Sequence, residues 1–297
     1  MAPRFFLLSA IFLWATAFVG IRVALTDFSP GALALFRFLV AGICLVPPYL
    51  RVKNKSRIGL RELGLLVLIG PIGMGCYSVL LNQSELQITA GIASLVVSLT
   101  PVLSSLMAIT WLKEKPSTGM FLGILLSCLG LLLIAFENIT DFEYNWAIFL
   151  VVLAVVCGAI QSVSQKVLLK NWTALELVSF AMWLTLLALT PYTLDLVHEI
   201  HTASYFTIIA CIYLGIVPAF LAQWLWSHGL SKVPLIHANS YLFTMPLITA
   251  LIGWLALGEK PGLFGVLGGL VALLGAFVSV RQRSMPREDL EYIDSPG

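Results

Sequence analysis

Charge is what this sequence has least of. Asp, Glu, Lys and Arg make up 11% of its 297 residues, against roughly 25% in a soluble domain. That is too few to cover a water-facing globule. The net charge of +2 is too small to call for a polyanionic partner, so nucleic-acid binding is excluded. Cysteine is sparse as well. Cys44, Cys76, Cys128, Cys157 and Cys211 each lie in an apolar run and none forms a CxxC pair. An odd number of isolated cysteines in apolar surroundings reads as small hydrophobes rather than disulfides or metal ligands. Catalytic signatures are missing too. There is no P-loop and no G-x-S-x-G, and the nearest string to H-E-x-x-H is His198-Glu199-Ile200-His201, with the wrong spacing. No cofactor is expected.

What is there is hydrocarbon. Residues A, V, I, L, M, F, W, Y and C make up 59% of the chain, and the mean hydropathy is +0.97. A bilayer core takes about 20 apolar residues of helix. Ten such runs can be placed, at 5–25, 30–50, 63–83, 89–112, 117–136, 146–166, 173–193, 204–227, 235–257 and 262–280. The connections are short and leave no room for a soluble domain. Ala15-Thr16-Ala17 resembles a signal-peptide cleavage site, but the run continues through Phe18, Val19 and Ile21, beyond a normal signal h-region, and reads as a span.

The few charges are placed unevenly. With the N-terminus on the cytoplasmic side, 14 of the 17 Lys and Arg residues fall on that side. They are Arg4, Arg51, Lys53, Lys55, Arg57, Arg61, Lys113, Lys115, Lys166, Lys170, Lys232, Arg281, Arg283 and Arg287. Only Lys260 falls outside, and Arg22 and Arg37 lie within spans. The positive-inside rule then predicts that both termini are cytoplasmic. The mixed-charge segment 284–297 is expected to be a short cytoplasmic tail.

Lys260 is explained by an internal repeat. Thr100-Pro101 matches Met245-Pro246, and Lys113-Glu114-Lys115-Pro116 matches Gly258-Glu259-Lys260-Pro261, both at an offset of 145. Leu122-Gly123 and Leu129-Gly130 match Leu267-Gly268 and Leu274-Gly275 at the same offset. Earlier in the chain the offset is 144, pairing Arg22-Val23 with Lys166-Val167 and Phe36 with Phe180. Two units of five spans follow, 1–140 and 141–283. Five is odd, so the second copy enters the membrane inverted, a design that puts a solute site near the midplane. The predicted fold class is an all-α integral membrane protein of ten helices in two inverted repeats. Pro101 and Pro246, at equivalent depth, are the predicted hinge. Gly119-x-x-x-Gly123 and Gly265-x-x-x-Gly269 read either as close internal packing or as a homodimer face.

These residues resemble the drug/metabolite transporter superfamily, in particular its EamA-type ten-helix members. The resemblance rests on Trp14 to Phe18, Phe36-Arg37-Phe38-Leu39-Val40-Ala41, Thr89-Ala90-Gly91, Ser98-Leu99-Thr100-Pro101 and Trp111-Leu112-Lys113-Glu114-Lys115, with Pro246 and Leu257-Gly258-Glu259-Lys260 in the second copy. Span 6 departs from the pattern, having no counterpart of Trp14. The resemblance implies a basket of ten helices in a bacterial inner membrane. Its cargo would be small organic solutes such as amino acids, nucleotide-linked metabolites or drugs, often exported.

Polar residues inside spans are costly and mark protein contacts or a path. Helical spacing sorts them. Ser94, Ser98, Pro101 and Ser105 share one face, as do Gln161, Ser164 and Gln165. Tyr77, Ser78 and Asn82 cluster in span 3, Trp14 and Phe18 share a face in span 1, and Trp224 and Tyr241 lie in spans 8 and 9. The expected solute-binding residues are Trp14, Phe18, Arg37, Tyr77, Ser78, Asn82, Ser98, Gln161, Gln165, Trp224 and Tyr241. Arg37 either tethers helices or binds a carboxylate. No Asp or Glu falls deep in a span, since Asp27, Glu85, Glu137 and Asp195 sit at ends or loops. A carboxylate proton relay is therefore not expected. A facilitator, an exchanger, coupling through His237, a divalent-cation carrier and an intramembrane enzyme are the alternatives.

Overall fold

A chain segment in lipid must satisfy its backbone internally, and apolar runs of this length do so as helices. The computed structural model describes residues 3–52, 56, 58–114, 118–136 and 144–258, and only single positions from 267 onward. The described residues are all helical or loop, with no strand. The helices are α1 Pro3–Ala24, α2 Pro30–Leu50, α3 Leu60–Glu85, α4 Ala90–Trp111, α5 Thr118–Phe136, α6 Tyr144–Leu168, α7 Ala174–Ala188, α8 Thr190–Ile200, α9 Tyr205–Ser231 and α10 Leu235–Ala256. Seven are long and apolar enough to cross a membrane, or eight if α7 and α8, bent by 55°, are one span. The predicted tenth span (262–280), the tail 284–297, Lys115, Pro116, Glu137 and the Glu259-Lys260-Pro261 segment lie outside the described residues.

Helix starts follow local chemistry. The hydroxyls of Thr89, Thr173 and Ser204 accept from Ile92 N, Glu176 N and Thr207 N, which satisfies first-turn donors. Pro30 stands in the first turn of α2, where its missing N–H costs nothing. Lipid-facing surface is equally legible: Leu39, Ile43, Val46 and Leu50 form one exposed stripe of α2, while Leu33, Ala41 and Leu45 face inward.

The two halves interlock. α1 packs against α9 and α10, and its counterpart α6 packs against α3 and α4. α2 packs against α7 and α9, while α7 packs against α3. Each repeat thus completes the other. The symmetry reaches single bonds. Arg22 Nη1 donates to Glu85 O at 2.6 Å and Ile88 O at 3.3 Å. Its repeat partner Lys166 donates through Nζ to Leu230 O at 2.8 Å and Val233 O at 2.7 Å. The accepting carbonyls are also 145 residues apart.

The prolines do more than kink. α4 breaks at Ser98-Leu99, and a new helix starts at Thr100 with Pro101 in its first turn. α10 breaks at Phe243-Thr244, and its second half starts at Met245 with Pro246 in the same place. Pro71 and Pro218 lie in π-helical segments, Leu68–Cys76 in α3 and Gly215–Ala222 in α9. The extra residue per turn absorbs the bond that proline cannot make. Gly119, Gly123 and Gly130 are buried while Phe121, Leu122, Leu125 and Leu129 are exposed, so this stripe packs within the chain, against the first half of α4.

Candidate functional site

The helix breaks surround a cavity of about 150 Å³, a volume that holds a benzene ring in an engineered apolar core. The lining follows the repeat. α1 contributes Trp14, Ala17, Phe18 and Ile21, and α6 contributes Gly158, Gln161, Ser162 and Gln165, which are the same four positions displaced by 144. α3 contributes Gly73, Met74, Ser78 and Leu81, and α9 contributes Pro218, Ala219, Gln223 and Trp226, displaced by 145. Phe38 and Met182 occupy equivalent positions of the two repeats, as do Val97 and Leu242, and Thr100 and Met245. The cavity therefore lies on the pseudo-twofold axis. Its lining positions are matched between the halves and its chemistry is not. The α1 wall is aromatic and aliphatic, and the α6 wall is amide and hydroxyl.

The aromatic wall is fixed. Trp14 Nε1 donates to Pro218 O at 3.1 Å, a carbonyl in the π-helical segment. Its ring lies 5.3 Å from that of Trp226, tilted by 47°. Across the cavity, Gly73 allows α3 to approach α6: a Cβ there would fall 2.3 Å from the Gln161 Cβ. Gln161 is half-buried, and its amide makes no hydrogen bond among the described residues. Gln165 Nε2 donates to Ser227 Oγ, whose own hydroxyl donates to Gln223 O at 2.7 Å. The buried Gln223 Nε2 has no partner among the described residues.

Arg37 is the one formally charged lining residue among those described. One of its Nη atoms donates to Ser78 Oγ at 2.9 Å. Its guanidinium lies 5.0 Å from the Phe38 ring centre, and its buried Nε has no partner among the described residues.

Of the predicted site residues, the structure brings Trp14, Phe18, Arg37, Tyr77, Ser78, Ser98, Gln161 and Gln165 to the cavity, together with Pro101. Asn82, Trp224, Tyr241 and Pro246 do not line it. Asn82 is buried as a structural tie, its Nδ2 donating to Pro30 O at 2.9 Å. Trp224 sits 5.9 Å from the His228 ring, one turn along its own helix. Tyr241 is half-buried, and Thr244 Oγ1 donates to its carbonyl. Trp226, which sequence reasoning passed over, takes the place expected of Trp224. The signal was present: Gln223 and Trp226 are three apart and lie on the Pro218 face, whereas Trp224 points about 100° away from Gln223. Glu85 lies at a span end, as the sequence predicts: it is the last residue of α3, and it is fully buried there.

At the face where α1 begins, α4 and α10 are bolted together. Glu114 accepts from Leu235 N at 2.9 Å and Ile236 N at 3.0 Å. Asn239 Nδ2 donates to Ser104 Oγ at 2.9 Å and Ser105 Oγ at 3.0 Å. At the opposite face Asp27 joins the halves, accepting from Thr207 Oγ1 at 2.7 Å and Ser204 N at 2.9 Å. The Thr207 hydroxyl bond, then the Ser204 amide, hold the Asp27 carboxyl below its usual range.

The model of the EamA-like transporter family matches this chain twice, at residues 2–136 and 145–281. The chain belongs to that family. An uncharacterized transporter of Bacillus subtilis, YdfC, is 33% identical over 265 residues, covering 89% of this chain and 86% of its own. A probable terminal-alkyne amino-acid exporter of Streptantibioticus cattleyicolor is 29% identical, covering 92% of this chain and 91% of its own. A probable amino-acid metabolite efflux pump of Salmonella typhimurium is 21% identical, covering 93% and 94%. A crystal structure at 18% identity shares the fold with a TM-score of 0.71, covering 95% of this chain and 99% of that one. This EamA-type protein is a multi-pass membrane transporter, its family and relatives being named for transport rather than catalysis, and its bacterial relatives point to the plasma membrane.

Proposed function

We propose that this EamA-type protein is a secondary transporter that exports small organic metabolites of the amino-acid class by alternating access. The observation that carries the reading is the cavity on the pseudo-twofold axis, walled by equivalent residues of both halves and bordered by the matched breaks of α4 and α10. Inverted repeats exchange conformations across such an axis, so a site on it can open to each side in turn. In this reading, units 1–140 and 141–283 each supply five of ten helices, and both termini face the cytoplasm. Trp14, Phe18, Arg37, Tyr77, Ser78, Ser98, Gln161 and Gln165 contact the solute, with Trp226 and Gln223 added. The chain flexes at Pro101 and Pro246. The Glu114 and Asn239 bonds then keep the cytoplasmic end shut in the state seen here.

The lining offers no carboxylate oxygen among the described residues, which disfavours a divalent cation as cargo. The names of two relatives, a probable terminal-alkyne amino-acid exporter and a probable amino-acid metabolite efflux pump, support the solute class. The test is purified protein in liposomes preloaded with labelled amino acids and related metabolites. Protein-dependent efflux or exchange is expected for members of that class. Folded protein that moves none of a broad metabolite panel would overturn the reading.

A further inference from the structure

We propose that Arg37 and Ser78 form a carboxylate subsite, so that the solute is recognised by its acid group rather than by its amine. The inference rests on the transport reading above and deepens it. Arg37 lies seven residues into α2 from Pro30, about 10 Å along the helix axis, at the edge of the cavity. A guanidinium has five donors in a planar fork that matches a carboxylate. Ser78 accepts from one of them and fixes the plane of the fork. The Nε is buried without a partner among the described residues, and an anionic oxygen reaching the cavity side of the guanidinium would offset the cost of that unpaired charged donor.

The rest of the lining says what the acid is attached to. No described lining residue is Asp or Glu, so a solute ammonium finds amide oxygens and aromatic faces but no counter-charge. The side opposite the amide wall is Trp14 and Phe18, and the volume admits a group about the size of a benzene ring. The subsite therefore takes a small monocarboxylate bearing a compact apolar or unsaturated group, with the amine as an accessory.

Four probes separate these elements: phenylalanine, 3-phenylpropionate, phenylalaninamide and phenethylamine. Binding is read by thermal shift and tryptophan fluorescence on the full chain in detergent micelles. Phenylalanine and 3-phenylpropionate are expected to bind. The amide and the amine, which lack the carboxylate, should bind at least tenfold more weakly. Arg37→Gln should erase that discrimination, and Arg37→Lys, which keeps the charge but not the fork, should retain part of it. The ligand comparison needs no variant, so a misfolded Arg37→Gln protein does not spoil it. Phenylalaninamide binding as tightly as phenylalanine would overturn the carboxylate subsite. So would a failure of both acids to bind. The transport reading is judged separately, by liposome flux over the wider panel.

Discussion

Glu114 offers the sharpest handle on alternating access. Its two carboxylate oxygens accept from the first two backbone amides of α10 at 2.9 and 3.0 Å, capping a helix that belongs to the other half of the molecule. An anionic group at a helix N-terminus gains from the macrodipole as well as from the bonds. Removing a cap of this kind costs about 0.5–2 kcal/mol. If the bonds exist only while this end is shut, Glu114→Ala should weaken the shut state by about 1.4 kcal/mol, which is roughly tenfold in population. Spin labels at Trp111 and Lys232, near the facing ends of α4 and α9, would report it by pulsed dipolar spectroscopy. The parent protein should give one dominant short distance. The variant should gain a longer component, and Asn239→Ala should add to it. A folded Glu114→Ala protein with an unchanged distance distribution would refute the idea that this carboxylate holds a conformational latch.

The two neighbouring tryptophans should separate cleanly. Trp226→Ala removes a buried ring from the cavity wall and should lower solute affinity tenfold or more, while Trp224→Ala should leave affinity within about threefold in the same titration. Glycine substitutions should have opposite signs along α3. At Gly70 an added Cβ would sit 2.3 Å from Ala181 O, so Gly70→Ala should destabilise by about 1–3 kcal/mol. At Gly64 nothing lies within 4 Å, so Gly64→Ala should be neutral or stabilising by up to about 1 kcal/mol; melting curves in detergent check both. Asp27 has a depressed folded-state pKa, relative to 3.8 in the unfolded chain. Its contribution is present above that value and is lost as pH falls through the folded pKa. The melting temperature should therefore drop more steeply below about pH 4 in the parent than in Asp27→Asn, and parallel curves would count against the bond.

The repeat offsets read from the chain recur in the structure as equivalent helix breaks, equivalent carbonyl ligands for Arg22 and Lys166, and equivalent cavity walls. Eight of the eleven solute-binding residues expected from sequence line the cavity, because face-sharing at helical spacing is a local property of one helix. The misses share a cause. Trp224 stands out by residue type and depth, and Tyr241 and Asn82 by helical spacing as well, but none of these says which way a side chain faces once its helix has neighbours. Trp224 and Trp226 are nearly adjacent in sequence, yet only the packing of α9 against α1 turns one toward the axis.

Composition and charge alone settled the solvent, since so apolar a chain with so few charges has to spend itself in lipid. The repeat, also written in the chain, settled that two like units meet there. Only the tertiary structure decided how they meet. α1 is completed by α9 and α10, α6 by α3 and α4, and the void left between them sets an aromatic wall against an amide one. That arrangement depends on contacts between residues far apart in the chain, 204 positions for Trp14 and Pro218, and no local periodicity can specify which distant helix a given face will touch.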